Sequence, residues 1–160
     1  MRVARRLRPW RVAAASAVKR SLRFLSAEQV VAVHDTLLTR YGGRMGGGPR
    51  GQAYEGVDAA VQAVKNSYYE TVEELAAAYA VYIVQGHVFA DGNKRTGAAA
   101  MLTFLEVNRM PVRIAAEELA AMMIDLQRRA EAGQPVSDLV RWIARAIAAR
   151  RASRRRRRGR

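Results

Sequence analysis

With 160 residues, half of them apolar, the chain is long enough to build one hydrophobic core and is one domain by length. It has no cysteine, which excludes a disulfide framework, a thiol nucleophile and a thiolate metal site, and it has no apolar run long enough to span a bilayer. The formal charge of +14 is unevenly spread: residues 1–23 hold eight Lys/Arg and no acid, residues 151–160 hold seven Arg and no acid, and residues 24–150 hold 13 basic and 14 acidic residues. The body is therefore close to neutral, and the charge that would point to nucleic acid sits at the two ends.

The first 22 residues, with Trp10 among alternating Arg and Ala, read as a basic extension, disordered or helical, of amphipathic or transit-like character. A start codon assigned too far upstream accounts for them equally well. A domain over 23–150 follows. Ser26-Ala27-Glu28-Gln29 has capping-box spacing and opens an apolar stripe through Val30, Val31, Val33, Leu37 and Leu38 to about Tyr41. His34, on this helix, reads as a face residue and not a ligand. Residues 42–56, rich in glycine and containing Pro49, read as a flexible loop, and a second helix is expected from Val57 to Tyr69. Thr71-Val72-Glu73-Glu74 is another capping box, opening an apolar helix through Leu75, Tyr79, Tyr82 and Ile83 to a stop at Gly86.

A polar loop then leads into a helix from Asn93 to about Asn108, apolar on nearly every side and so expected at the centre of the domain. Pro111 ends that run. Helices at about 115–131, stopped by Gly133, and at about 137–150, with Ser137 as N-cap, complete the domain. No alternating pattern is longer than Val112-Arg113-Ile114, so the expected fold class is all-α, a compact bundle around a buried central helix. The Arg-rich segment 151–160 reads as a disordered tail, able to contact RNA or DNA non-specifically through phosphate neutralisation.

The chemistry is concentrated between the two most apolar helices, in His87-Val88-Phe89-Ala90-Asp91-Gly92-Asn93-Lys94-Arg95-Thr96. A helix N-terminus presents backbone N–H groups and partial positive charge to an anion, and phosphate is the anion these side chains suit. Asp91 supplies an oxygen ligand for magnesium, or an N-cap, or both. Gly92 permits a tight turn and a close approach of phosphate, while Asn93 could cap the helix or bind phosphate. Lys94 and Arg95 stand at the helix end that disfavours cations, which argues for an anionic ligand; Thr96 adds a hydroxyl. Phe89 reads as an anchor for the loop.

HVFADGNKR resembles the signature of the Fic/Doc superfamily, in the form His-x-Phe-x-(Asp/Asn)-x-Asn-Lys-Arg of its Doc (death on curing) branch. The Fic branch carries Gly in place of Lys94 and a second Arg in place of Ala98. The run from Phe24 to Val30, followed by His34-Asp35 and Arg40-Tyr41-Gly42-Gly43, is similar to the opening of Doc-like chains, so the resemblance covers roughly residues 23–132.

The resemblance implies a Fic/Doc-type helical fold and a cytoplasmic toxin of a toxin–antitoxin system. Such a toxin would use ATP and Mg2+ to phosphorylate a Ser/Thr hydroxyl of a translation factor, elongation factor Tu, and so halt translation. His87 would be the general base, Asp91 the metal ligand, and Gly92, Asn93, Lys94, Arg95 and Thr96 the ATP phosphate site. In resembling families a flap before the motif docks the target backbone, and residues 44–56 could supply it. The inhibitory helix string (Ser/Thr)-x-x-x-Glu-(Gly/Asn) of many Fic proteins is absent, which implies neutralisation by a separate, Phd-like antitoxin. Two alternatives stand beside this reading: Fic-type nucleotidyl transfer to a protein hydroxyl, and a non-catalytic nucleic-acid or ribosome binder acting through the basic ends.

Overall fold

A computed structural model describes residues 17–43 and 50–158. After a helical turn over 17–21 come α1 (Ala27–Tyr41), α2 (Arg50–Asn66), α3 (Val72–Gln85), α4 (Asn93–Val107), α5 (Ala116–Glu131) and α6 (Val136–Arg158). No strand occurs among the described residues, and the expected all-α bundle is what forms. Both capping boxes are made. Ser26 Oγ accepts from Gln29 N–H while the Gln29 side chain accepts from Ser26 N–H, and Thr71 and Glu74 do the same for α3.

The centre of the bundle is a pair of helices. α3 buries ten of its 14 residues and α4 seven of its 15, so the helix before the motif is more enclosed than the one after it. The reason is lateral size. The run Ala76-Ala77-Ala78 lets neighbours approach α3 closely, and at its crossing with α4 a Cβ on Gly97 would stand 3.1 Å from the Ala80 carbonyl oxygen. α6 covers α3 with Leu139, Val140, Ile143 and Ile147, all fully buried. Tyr79 receives the incoming chain: its ring lies 5.2 Å from that of Phe104, and its oxygen accepts from Leu25 N–H at 2.9 Å. Burial pushes the Tyr79 phenol up to about 12.

Three expectations are corrected. Residues 50–56 belong to α2, which ends at Asn66 and not at Tyr69. Gly51 and Gly56 weigh against a helix by about 1 kcal/mol each, and burial of Val57, Val61 and Val64 outweighs that cost. The Arg-rich segment expected to be disordered from 151 continues α6 to Arg158. Arginine is a good helix former, no Gly or Pro interrupts the run, and Arg150 and Arg151 are ion-paired with Glu118 and Glu73 on α5 and α3. Finally, α6 starts at Val136, so Ser137 lies inside the helix; the Pro135 carbonyl accepts from the N–H groups of Asp138 and Leu139 in its place. Residues 1–16, the Gly/Pro-rich 44–49 and 159–160 lie outside the described residues.

Candidate active site

α3 ends at Gly86, where no ordinary side chain would fit: a Cβ would stand 2.5 Å from the Tyr82 carbonyl oxygen. The left-handed turn that follows is made by His87 itself, at φ 46°, a conformation that costs an L-residue roughly 1–2 kcal/mol. The exposed His87 lines a cleft of about 330 Å³. Val84, His87, Ala90, Asp91, Gly92, Asn93, Lys94, Arg95 and Gln127 form its walls. Every residue from Ala90 to Arg95 therefore faces the space that His87 overlooks.

The loop between His87 and α4 is held by its own amide. Asn93 Oδ1 accepts from Phe89 N–H at 2.9 Å and Asn93 Nδ2 donates to the Phe89 carbonyl at 2.7 Å, closing a ring around residues 89–93. That engagement shapes the loop, while Asn93 itself still lines the cleft. Asn108 repeats the device at the far end of α4, clamping both backbone groups of Arg23 at 2.8 and 2.9 Å.

Gly92 is the N-cap of α4, at φ 79°, with no side-chain hydrogen bond to the helix. Asp91 is thus not the N-cap; its Oδ1 accepts from Gly92 N–H at 2.6 Å. The first intrahelical bond runs from Thr96 N–H to the Gly92 carbonyl, so the amides of Asn93, Lys94 and Arg95 precede it at the cleft wall. No acid stands in this first turn.

The two cations diverge. Lys94 Nζ donates to Gln127 Oε1 on α5 at 2.6 Å, and Gln127 in turn donates to Glu131 at 2.6 Å. Arg95 Nη1 donates to the Gly42 carbonyl at the end of α1, at 2.9 Å. A guanidinium carries five N–H donors, and this contact uses one. Gly43 passes directly over the site: a Cβ there would stand 3.0 Å from Asp91 Oδ2 and 3.1 Å from Arg95 Nη2.

Thr96 was expected among the phosphate ligands, and the structure places it elsewhere. It is fully buried, points away from the cleft, and its hydroxyl lies 2.9 Å from Nδ1 of His34. Residues that sequence reasoning missed are His34 and Gln127. His34, read as a face residue, is only 6% exposed and stacks on Phe89 with ring centres 3.7 Å apart. Gln127 has no sequence signal at all, being one amide on an amphipathic helix.

Among the described residues no cluster of three or more His, Cys, Asp or Glu forms a metal site. A lone cleft carboxylate suits a magnesium ion that arrives with a phosphate chain, since such ions are commonly bound by one or two carboxylates plus phosphate oxygens.

The sequence model of the Fic/DOC family matches residues 24–105, just over half the chain. The chain belongs to the Fic/DOC family. It is 39% identical over 93 residues to "Protein kinase doc" of Escherichia phage P1, an alignment covering 57% of this chain and 72% of that relative. The match, together with Lys94 and Ala98, places the chain in the Doc branch. The matched span contains α1 to most of α4, hence every cleft residue except Gln127. No helix among the described residues is long and apolar enough to cross a membrane.

Proposed function

We propose that the protein is a Doc-type kinase that transfers the terminal phosphoryl group of ATP to a Ser/Thr hydroxyl of a protein. The observation that carries this reading is Lys94. Its ammonium reaches Gln127 on α5, occupying room that a glycine would leave at this position, while position 98 holds a buried alanine and offers no second guanidinium. Without the space and the second cation that the Fic branch uses, the nucleotide enters with its terminal phosphate toward His87. The name of the phage relative supports the same reaction.

His87 accepts the proton of the target hydroxyl as that oxygen bonds to the γ-phosphorus. The bond from the γ-phosphorus to the β,γ-bridging oxygen breaks, and ADP leaves with that oxygen. The amides of Asn93, Lys94 and Arg95, with the Arg95 guanidinium and the Lys94 ammonium, hold phosphate oxygens. Asp91 would hold magnesium, which when bound neutralises phosphate charge. The target follows from the resemblance: elongation factor Tu, in the cytoplasm, with translation halted, and a Phd-like antitoxin as neutralising partner.

The test is incubation with elongation factor Tu and with lysate, using ATP labelled at the γ or the α phosphate. Label should enter protein from the γ position only. Entry from the α position would establish nucleotidyl transfer. Label from neither, with toxicity that vanishes when the Arg-rich end is removed, would favour the nucleic-acid binder.

A further inference from the structure

We infer that His34 is a positioning residue for phosphate capture, an inference that rests on the cleft being a phosphate site. His34 and Thr96 are the buried polar side chains among the described residues, and they are bonded to each other. Neither lines the cleft. The imidazole instead fills the back of the loop whose front is the cleft. Its ring stacks on Phe89 at 3.7 Å and 11°, its Nδ1 meets the Thr96 hydroxyl, and its Cε1 lies 3.3 Å from where a Cβ of Gly92 would stand.

One side chain from α1 meets three motif residues, Phe89, Gly92 and Thr96. Arg95 bonds the same helix eight residues on, at Gly42. α1 thus braces the start of α4 at two points, and the amides of Asn93, Lys94 and Arg95 ride on that brace. An apolar filler would satisfy the packing at lower cost, since burying a polar ring is unfavourable unless it is hydrogen-bonded. What the imidazole adds is a directional bond that fixes the rotation of α4's first turn about its axis. His87 lines the cleft, whereas the bond between His34 and Thr96 lies outside it, so the expected effect falls on phosphate binding before it falls on proton transfer.

The experiment compares the unaltered full chain with His34→Phe, which keeps an aromatic ring against Phe89, and with Thr96→Val and Thr96→Ser. MgATP titration by calorimetry and initial rates at varied ATP are measured for each. His34→Phe and Thr96→Val should each raise the Kd and KM for MgATP by about tenfold, because amides no longer held in place must be ordered when phosphate binds. The kcat at saturation should hold within about twofold, and Thr96→Ser, which keeps the hydroxyl, should behave as the unaltered chain. Should His34→Phe fail to fold, Thr96→Val carries the same expectation from the other partner. A lowered active fraction with Kd and KM unchanged would reduce His34 to core filler and overturn the inference. So would unaltered behaviour in both variants. Failure of the unaltered chain itself to bind MgATP would overturn the phosphate-site reading, and this inference with it.

Discussion

The starts of α1 and α3 differ from the start of α4 in each feature that bears on an anion. Ser26 and Thr71 cap their helices with reciprocal boxes, and Glu28, Glu73 and Glu74 place negative charge in the first turns. α4 begins at a left-handed glycine with no side-chain cap, no acid, and Lys94 and Arg95 in its first turn. α5 also lacks a side-chain cap, yet it keeps Glu117 and Glu118 there. Helix ends of the first kind are settled by caps and acids within the first turn, whereas the first turn of α4 has neither, and the proposed anion is what would answer its positive potential. Stability was gained at two junctions and withheld at the third, which is where the cleft lies.

The comparison breaks most visibly at His87. Replacing it with alanine should lower phosphoryl transfer roughly 10²–10⁴-fold, the usual worth of a positioned general base, in a labelled-ATP assay. Because residue 87 carries the left-handed turn, His87→Gly should be as inactive but more stable than His87→Ala by about 1 kcal/mol in urea unfolding. An alanine variant that kept full transfer activity would remove the proposed base.

A smaller effect is expected at a settled helix start. Thr71→Ala removes one side of the α3 capping box and should cost about 1 kcal/mol of stability. Its KM and kcat should match those of the unaltered protein, since this junction faces no ligand.

Lys94→Glu tests the third junction in the opposite sense. An acid in the first turn of α4 complements the helix dipole and should stabilise the free protein by about 0.3–1 kcal/mol while weakening MgATP binding. Weaker binding together with lower stability would contradict the claim that this end is left unsettled for an anion.

The smallest effect concerns pH. Burial holds the His34 imidazole below its ordinary range, Asp35 opposing this, Arg95 adding to it and Asp91 opposing it again. The unfolded chain then binds the proton more readily than the folded one, so stability from this group is complete above the unfolded histidine range and is lost as pH falls through it toward the folded value. Urea midpoints should decline on acidification through this window, and the decline should be shallower in His34→Phe.

Much of this was legible in the order of residues. Ser26/Gln29 and Thr71/Glu74 announced their helices because a capping box is a local contact over three residues, and Asn93 through Val107 announced a buried helix because its apolar residues cover most of its circumference. The nine residues from His87 to Arg95 marked the cleft for the same reason: loop, turn and helix start are neighbours in the chain. Legibility failed where the deciding contact was distant. Gly51 and Gly56 suggested a loop because a helix there depends on partners far along the chain, and the arginines after 150 suggested disorder because Glu73, the partner of Arg151, lies 78 residues away.

The sequence by itself determined the helical class, the capped starts, and which loop carries the histidine, the carboxylate and the cations, since each is written in residues a few positions apart. Only the tertiary structure decided what those residues do to one another. Packing of α1 against α4 turned Thr96 inward to His34, and the ring closed by Asn93 spent its amide on Phe89. α5 brought Gln127 to Lys94 from 33 residues away. A side chain's chemistry is fixed by its type, but its role is set by which groups reach it, and those arrive only when the helices pack.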